Sequence, residues 1–432
     1  MAFNKQLSLV FFFVSVLSFG QNYTSYLTGN STDLVTNPTG GICLMGGASE
    51  DDNAMKWFLE RANGGDVLVL RATGSDGYND YLYATLGINV NSVETIVCNN
   101  INASSDAYVL NKINQAEAIW FAGGNQWTYI SYWRNSPVSD AINLAIQQRN
   151  VVIGGTSAGM AIQGKYYFSA ENGTVTSNTA TTNPFASTMT VDSTSFIQNT
   201  ILQNVITDTH FDSPDRKGRL VSFLARIYTD FGISGYAIAC DEYTAVCIDT
   251  VGQARVFGGQ PTYDDNAYFV QLNCEAPNPA PESCTPGNPL TWDLNGQAVK
   301  AFQVKGDAAG SSIFNLNLWK TNSTGNWYNW SVSNGVFQES VGIEPNCPAL
   351  GINQEMKENQ VLLYPNPAEE MLTIAVEPER IGECYKIVDQ LGKTIRIGAL
   401  EKMKHQIPIS GIESGIYTVI IGNQSIKNIA IK

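Results

Sequence analysis

Residues 151–160 read VVIGGTSAGM, an apolar run carried into G-x-S-x-G with Ser157 at its centre. A serine becomes a nucleophile when a strand presents it on a sharp strand-to-helix turn whose neighbours are small enough for backbone and helix to close around it. Val151 to Ile153 supply the strand, Gly155 and Gly159 the small neighbours, and AGMAI the start of the helix. Five-residue patterns recur by chance, and glycine-rich turns also bind anions, so the motif needs a partner.

That partner is a base, most often histidine. The chain has two histidines, His210 and His405, and the second lies in the C-terminal tail. His210 sits in ITDTHFDSPDRKGRL (206–220), among Asp208, Asp212, Asp215, Arg216 and Arg219, a dense charge cluster for a chain with 15% charged residues. A third member, a carboxylate, has to orient the imidazole and stabilise imidazolium. Glu242, where the apolar segment GYAIAC meets DEYTA, is the first choice, and Glu171 in SAENG satisfies the same chemistry. An oxyanion needs two donors: the Ala158 amide after the nucleophile, and a second from Gly46 or Gly47, of which Gly47 is taken. The order Ser, His, Glu differs from the Ser, acid, His order of the α/β-hydrolases and argues against a lipase or esterase.

Such a site requires strands that end together. From residue 41 to about 250, apolar runs of four to six residues (GICLMGG, DVLVLRATG, VETIVC, AIWFAGG, VVIGGTS) alternate with amphipathic stretches, the pattern of an α/β domain, placed at 21–252, with a mostly parallel sheet flanked by helices. Three runs end in glycine pairs, Gly46-Gly47, Gly123-Gly124 and Gly154-Gly155, at the strand ends where open α/β sheets place their sites. Residues 253–346 are short, alternating and aromatic, a β-rich extension that is either a separate sandwich or an addition to the first domain. Residues 347–360 read as a linker, and 361–432 as a small C-terminal β-sandwich. At the other end, residues 1–20 place one lysine before an apolar run of about a dozen residues ending in Ser18-Phe19-Gly20, the form of a signal peptide.

The net charge of −14 excludes nucleic acid and anionic membranes as expected partners. Eight cysteines suit an oxidising compartment, and the first disulfide to expect joins Cys274 to Cys284 across a proline-rich loop. No C-x-x-C pair or Cys/His spacing calls for a metal, and no cofactor is expected. A homodimer is among the expected assemblies.

Taken together, GGTSAG around Ser157, FAGGNQ around Gln126, DTHF and RKGRL around His210, and DEYTA around Glu242 resemble the cyanophycinase and dipeptidase E family of serine peptidases. The resemblance implies a fold akin to class I glutamine amidotransferases with serine in place of their cysteine, and hydrolysis of an aspartyl peptide bond, of the β-Asp-Arg type in cyanophycin, through an acyl-enzyme. It also assigns Gln126, Asp208, Arg216 and Arg219 to substrate contacts, the arginines meeting aspartyl carboxylates. The chain departs from the cyanophycinases at Pro214, where a further arginine is usual, and at Asn125, where aspartate is usual; both departures bear on the polymer substrate more than on the chemistry. The tail, with YPNPA, DQLGK and GIYTV, resembles the C-terminal sorting domain of type IX secretion, which implies export through the periplasm to the medium or the outer cell surface. Two other readings share these features: a secreted adhesion protein on an inactive scaffold, using the aromatic β-region, and an amidotransferase-like amidase, disfavoured because no cysteine occupies the elbow.

Overall fold

The computed structural model describes residues 21–194, 196–347, 362–364, 368, 370–376, 380–389, 393–402, 404–422 and 425–431. The signal peptide expected over 1–20, the linker apart from Cys347, and parts of the YPNPA and DQLGK stretches lie outside these residues. The chain divides into two compact units after Pro348.

In the first unit, a ten-stranded sheet has β1 (Tyr23–Gly29), β2 (Ile42–Met45), β3 (Asp66–Arg71), β4 (Ser92–Cys98), β5 (Ala118–Phe121) and β6 (Val152–Thr156) in the order β1-β4-β3-β5-β6-β2. The five strands β4-β3-β5-β6-β2 run parallel, with β1 antiparallel on β4. β2, β5 and β6 are buried along their whole length and read ICLM, AIWF and VIGGT, the unbroken apolar or small runs of strands covered on both faces.

Helices supply that cover. In α1 (Asp52–Glu60), the Asp51 carboxylate accepts from the Asn53 and Ala54 amides, satisfying donors that the first turn leaves open. Its buried residues Ala54, Met55, Phe58 and Leu59 join a cluster with Ala118 and Trp120 of β5. Phe121, the next residue, packs instead on Trp133 of α3 (Gln126–Trp133), and α2 (Ala107–Gln115) packs on α4 (Pro137–Arg149). The alternation along β5 thus divides it between two helical layers.

After α5 (Ala158–Ala161), a short hairpin of β7 (Tyr167–Phe168) and β8 (Val191–Asp192) frames α6 (Ser177–Thr182). The chain then starts a second sheet with β9 (Val205–Asp208), α7 (Lys217–Phe231) and β10 (Tyr236–Cys240), the two strands being parallel. It returns to the first sheet with β11 (Ala245–Ile248), antiparallel on β2, and β12 (Gln253–Phe257). The β-rich extension is built into both sheets. Strands β13 (Asn266–Leu272), β14 (Val299–Lys305), β17 (Asn326–Ser333) and β18 (Val336–Val341) continue the second sheet from β10, while β15 (Ser312–Asn315) and β16 (Lys320–Thr321) continue the first from β12. Leu220, Phe223 and Leu224 of α7 share a core with Trp292 and Trp330 from this region.

The disulfide differs from expectation. Cys274 pairs with Cys347, not Cys284. Cys284 is instead a buried thiol in the cluster that holds Leu290 and Trp292, so the proline-rich loop tucks its second cysteine into the core and leaves Cys274 to bind the end of the unit.

The second unit has two antiparallel sheets. One contains β19 (Leu362–Tyr364), β20 (Met371–Ala375) and β23 (Lys404–Pro408); the other contains β21 (Cys384–Val388), β22 (Thr394–Ala399), β24 (Gly415–Ile421) and β25 (Ser425–Ile431). Leu372, Ile374 and Ile407 from the first meet Ile387, Val419, Ile421 and Ile429 from the second in one apolar cluster, which makes the unit a small β-sandwich.

The Cys274–Cys347 bond closes a sequence separation of 73 residues. Cys274→Ser therefore lowers unfolding free energy by about 2–4 kcal/mol, read as a lower urea midpoint with a steeper slope, because the unfolded chain freed of this loop exposes more surface.

Candidate active site

Ser157 stands where β6 turns into α5, with φ +51° and ψ −115°, a left-handed backbone conformation that L-residues rarely adopt. The two motif glycines allow the turn. A Cβ on Gly155 would lie 2.5 Å from the Gly159 carbonyl carbon, and one on Gly159 would lie 2.0 Å from the Phe121 carbonyl oxygen. Strand β6, helix α5 and strand β5 thus meet backbone to backbone, and only hydrogen side chains fit between them.

The Ser157 Oγ is 2.8 Å from His210 Nε2, and His210 Nδ1 is 2.6 Å from Glu242 Oε1. Both the imidazole and the carboxylate are about three-quarters covered, with side-chain exposures of 24% and 26%. Serine, imidazole and carboxylate thus form one hydrogen-bonded relay, in which Nδ1–H donates to Glu242 and Nε2 is left to accept from the serine hydroxyl. Glu171 takes no part: it is exposed, with its amide 3.4 Å from Ser169 Oγ. His405 belongs to strand β23 of the other unit.

The three residues come from three loops, and one short backbone segment joins them. The Met45 carbonyl accepts from the Ser157 amide at 3.1 Å, the Gly46 carbonyl from the His210 amide at 2.8 Å, and the Gly47 carbonyl from the Tyr243 amide at 3.0 Å. Gly47, at φ +124°, also lies under the imidazole: a Cβ there would meet His210 Cε1 and Nε2 at 2.4 Å. A Cβ on Gly46 would lie 2.0 Å from the Asp241 carbonyl oxygen. Among the described residues, the amides of Gly47 and Ala158 donate no hydrogen bond within the protein. Two donors near the serine and histidine therefore remain available to an oxygen that gains negative charge.

Of the residues expected to touch substrate, Asp208 and Arg219 do something else. Arg219 donates from Nε to Asp208 Oδ2 at 2.9 Å and from a terminal nitrogen to Asp208 Oδ1, and both side chains are 4% exposed. Asp208 Oδ1 also accepts from the Thr209 amide at 2.8 Å. The guanidinium lies over the rings of Phe168 and Phe223. This buried pair satisfies its own charge and anchors the backbone just before His210; it presents no free cation to a ligand. Gln126 begins α3 after the Gly123-Gly124 turn, and its Nε2 donates to the Phe168 carbonyl at 2.5 Å. Arg216 is half-buried and donates to the Thr209 carbonyl at 2.8 Å; burial, and then Arg219, lower its pKa.

Two acidic residues prove to be part of the frame. Asp212 Oδ1 accepts from the Glu242 amide at 2.9 Å, so the loop that carries His210 also holds the residue that orients it. The spacing of two residues in HFD was visible in the sequence, but its partner was not. Lys217, the obvious sequence neighbour for that acid, pairs with Glu339 of β18. Asp241 is buried beside Glu242, accepts from Asn266 Nδ2 at 3.0 Å, and has its Oδ1 without a hydrogen-bond partner among the described residues.

Residues 71–243 match the sequence model of Peptidase family S51, and residues 362–432 match that of the Secretion system C-terminal sorting domain. The first match contains Ser157, His210 and Glu242, and the protein is a serine-type peptidase. The second identifies an exported protein that reaches the medium or the cell surface through type IX secretion. Similar solved structures include a peptidase from an acI-B1 Actinobacterium, at 15% identity over 54% of this chain and 91% of that one with TM-score 0.40. Another is a putative peptidase E protein from Listeria monocytogenes EGD-e, at 14% identity over 51% of this chain and 99% of that one with TM-score 0.33. No curated protein matches the chain.

Two measurements test this frame. Gly47→Ala drives a methyl group into the imidazole, so peptidase activity drops by about 100-fold or more while the far-ultraviolet circular dichroism spectrum is unchanged. Burial pushes the Asp241 carboxyl up to about 7, with Asp212 adding to the rise. The folded protein thus holds a proton that the unfolded chain has released above its ordinary value of 3.8, and stability falls as pH climbs from about 4 to about 7. Asp241→Asn removes that slope, on the order of 4 kcal/mol, in urea melts across this pH range.

Proposed function

We propose that the protein is an exported, cyanophycinase-like serine peptidase that hydrolyses aspartyl peptide bonds of the β-Asp-Arg type through an acyl-enzyme on Ser157. The observation that carries this reading is the relay from Ser157 Oγ through His210 to Glu242 at 2.8 and 2.6 Å.

In this mechanism His210 Nε2 removes the Ser157 hydroxyl proton as Oγ attacks the carbonyl carbon of the scissile bond. The carbonyl oxygen becomes an oxyanion facing the Gly47 and Ala158 amides. Glu242 holds the imidazole by Nδ1–H and stabilises its cationic form. When the tetrahedral intermediate collapses, His210 returns the proton to the leaving amine. Water then follows the same path: His210 takes its proton, the acyl ester is cleaved, and Ser157 recovers its hydrogen. Gln126 and Arg216 are the side chains assigned to the substrate, with Arg216 the cation for an aspartyl carboxylate now that Arg219 is paired.

The adhesion alternative has less aromatic surface than the composition of this region suggests: Trp292, Trp330, Phe269 and Phe302 are buried, while Tyr263 is exposed.

Purified protein lacking residues 1–20 releases β-Asp-Arg from cyanophycin, and Ser157→Ala lowers kcat by about 10³-fold or more with substrate binding retained. Unchanged turnover in Ser157→Ala rejects the nucleophile. Turnover of other aspartyl peptides, without cyanophycin, keeps the chemistry and rejects the polymer.

A further inference from the structure

Cys43 lies on β2 and Cys247 on β11, and the two residues face each other in the antiparallel register. Their sulfur atoms are 3.6 Å apart, and neither residue is exposed. The hydrogen-bond pattern defines the kind of pair they form. The Gly46 amide donates to the Thr244 carbonyl at 2.9 Å, which makes 46 and 244 a hydrogen-bonded pair. Because such pairs alternate with non-hydrogen-bonded ones, 44 and 246 form the next hydrogen-bonded pair, and 43 and 247 are a non-hydrogen-bonded pair. In that arrangement Cα atoms approach to about 4.5 Å and side chains are at their closest, within the separation that a disulfide spans.

We propose that Cys43 and Cys247 are joined as a cross-strand disulfide in the exported protein. The chain carries a sorting tail, and Cys274 and Cys347 are already bonded, so it folds where disulfides form. The chemistry is thiol–disulfide exchange with a disulfide-bearing oxidant, such as a protein dithiol oxidase or glutathione disulfide. One cysteine thiolate attacks a sulfur of the oxidant and displaces a thiolate, giving a mixed disulfide. The second cysteine thiolate attacks the first cysteine's sulfur and displaces the other half. Two electrons pass from the cysteine pair to the oxidant, which leaves as two thiols, and the protons of the two cysteines are transferred with them. Both thiols are enclosed once β2 and β11 lie in the sheet, and burial raises the Cys247 thiol well above its ordinary pKa, with Cys43 adding to the rise. Exchange therefore takes place while the strands assemble, and the finished bond is shielded from reductant.

The bond has a defined place relative to the site. Cys43 stands three residues before Gly46, and Cys247 five residues after Glu242. A bond here ties the strand that ends in the Gly46-Gly47 turn to the strand that leaves the Glu242 loop.

The test is disulfide mapping of protein recovered after export. Unfolding in an alkylating agent without reductant, followed by digestion and mass spectrometry, yields the Cys43 and Cys247 peptides linked to each other, and four cysteines rather than the six unbonded ones take up the label. Alkylated Cys43 and Cys247, or Cys43 linked to the nearby Cys240, overturns the proposal. A thermal cycle gives a second reading. With a disulfide, Cys43→Ala and Cys247→Ala each lower Tm by about 5 °C or more, and the double variant falls no further than either alone. Losses that add in the double variant show two independent thiols and overturn the proposal by a route that does not depend on peptide recovery.

Discussion

Three consecutive carbonyls at the end of β2 hold the site together. Met45 receives the amide of Ser157, Gly46 that of His210, and Gly47 that of Tyr243, next to Glu242. Each bond is ordinary in strength, on the order of 1 kcal/mol net. Their importance is geometric: three loops, at Ser157, His210 and Tyr243, are referred to one rigid strand end, and the side chains they carry inherit that precision. Gly46 and Gly47 are required because the Asp241 carbonyl and the His210 ring occupy the space that a side chain would fill.

The charged residues around this node follow the same logic of support at one remove. The buried Asp208–Arg219 pair pins the end of β9 just before the histidine, and Asp212 just after it holds the Glu242 amide. A charge that is removed from water needs compensation, and here each compensating bond also positions backbone that bears a reacting group. The dense charge cluster around His210 is therefore mostly scaffold. Among the described residues of this cluster, Arg216, half-buried beside Asp208, Glu242 and Asp212, keeps a cation close to the relay.

How much of this was legible follows from where each signal resides. The parallel sheet, the serine elbow and the histidine were readable because they rest on local pattern and on scarcity: G-x-S-x-G after an apolar run, and one histidine outside the tail; the carboxylate was readable only as a choice between Glu242 and Glu171. The tail was readable because its strands and turns recur along 70 residues. Pairings between distant segments were not. The Cys274–Cys347 bond, the Asp208–Arg219 pair and the contact of Asp212 with Glu242 each depend on which loops the folded chain brings together, and composition carries no record of that. Gly46 and Gly47 were noted as possible amide donors; their carbonyls, which do the assembling, have no side-chain signature at all. The aromatic texture of 253–346 suggested a surface, whereas Phe269, Phe302, Trp292 and Trp330 lie in the core and Tyr263 is exposed.

The serine arrives on a strand of the first sheet, while the histidine and glutamate leave strands of the second. The second sheet begins with only β9 and β10, and the rest of it, through β18, is encoded after every residue of the relay. A ribosome finishes the reactive residues about a hundred residues before it finishes the wall they lean on. Without those later strands, β10 would be an open sheet edge. Nucleophile and base thus come from different sheets, so a shift of one sheet against the other would part Ser157 from His210 while leaving every strand intact.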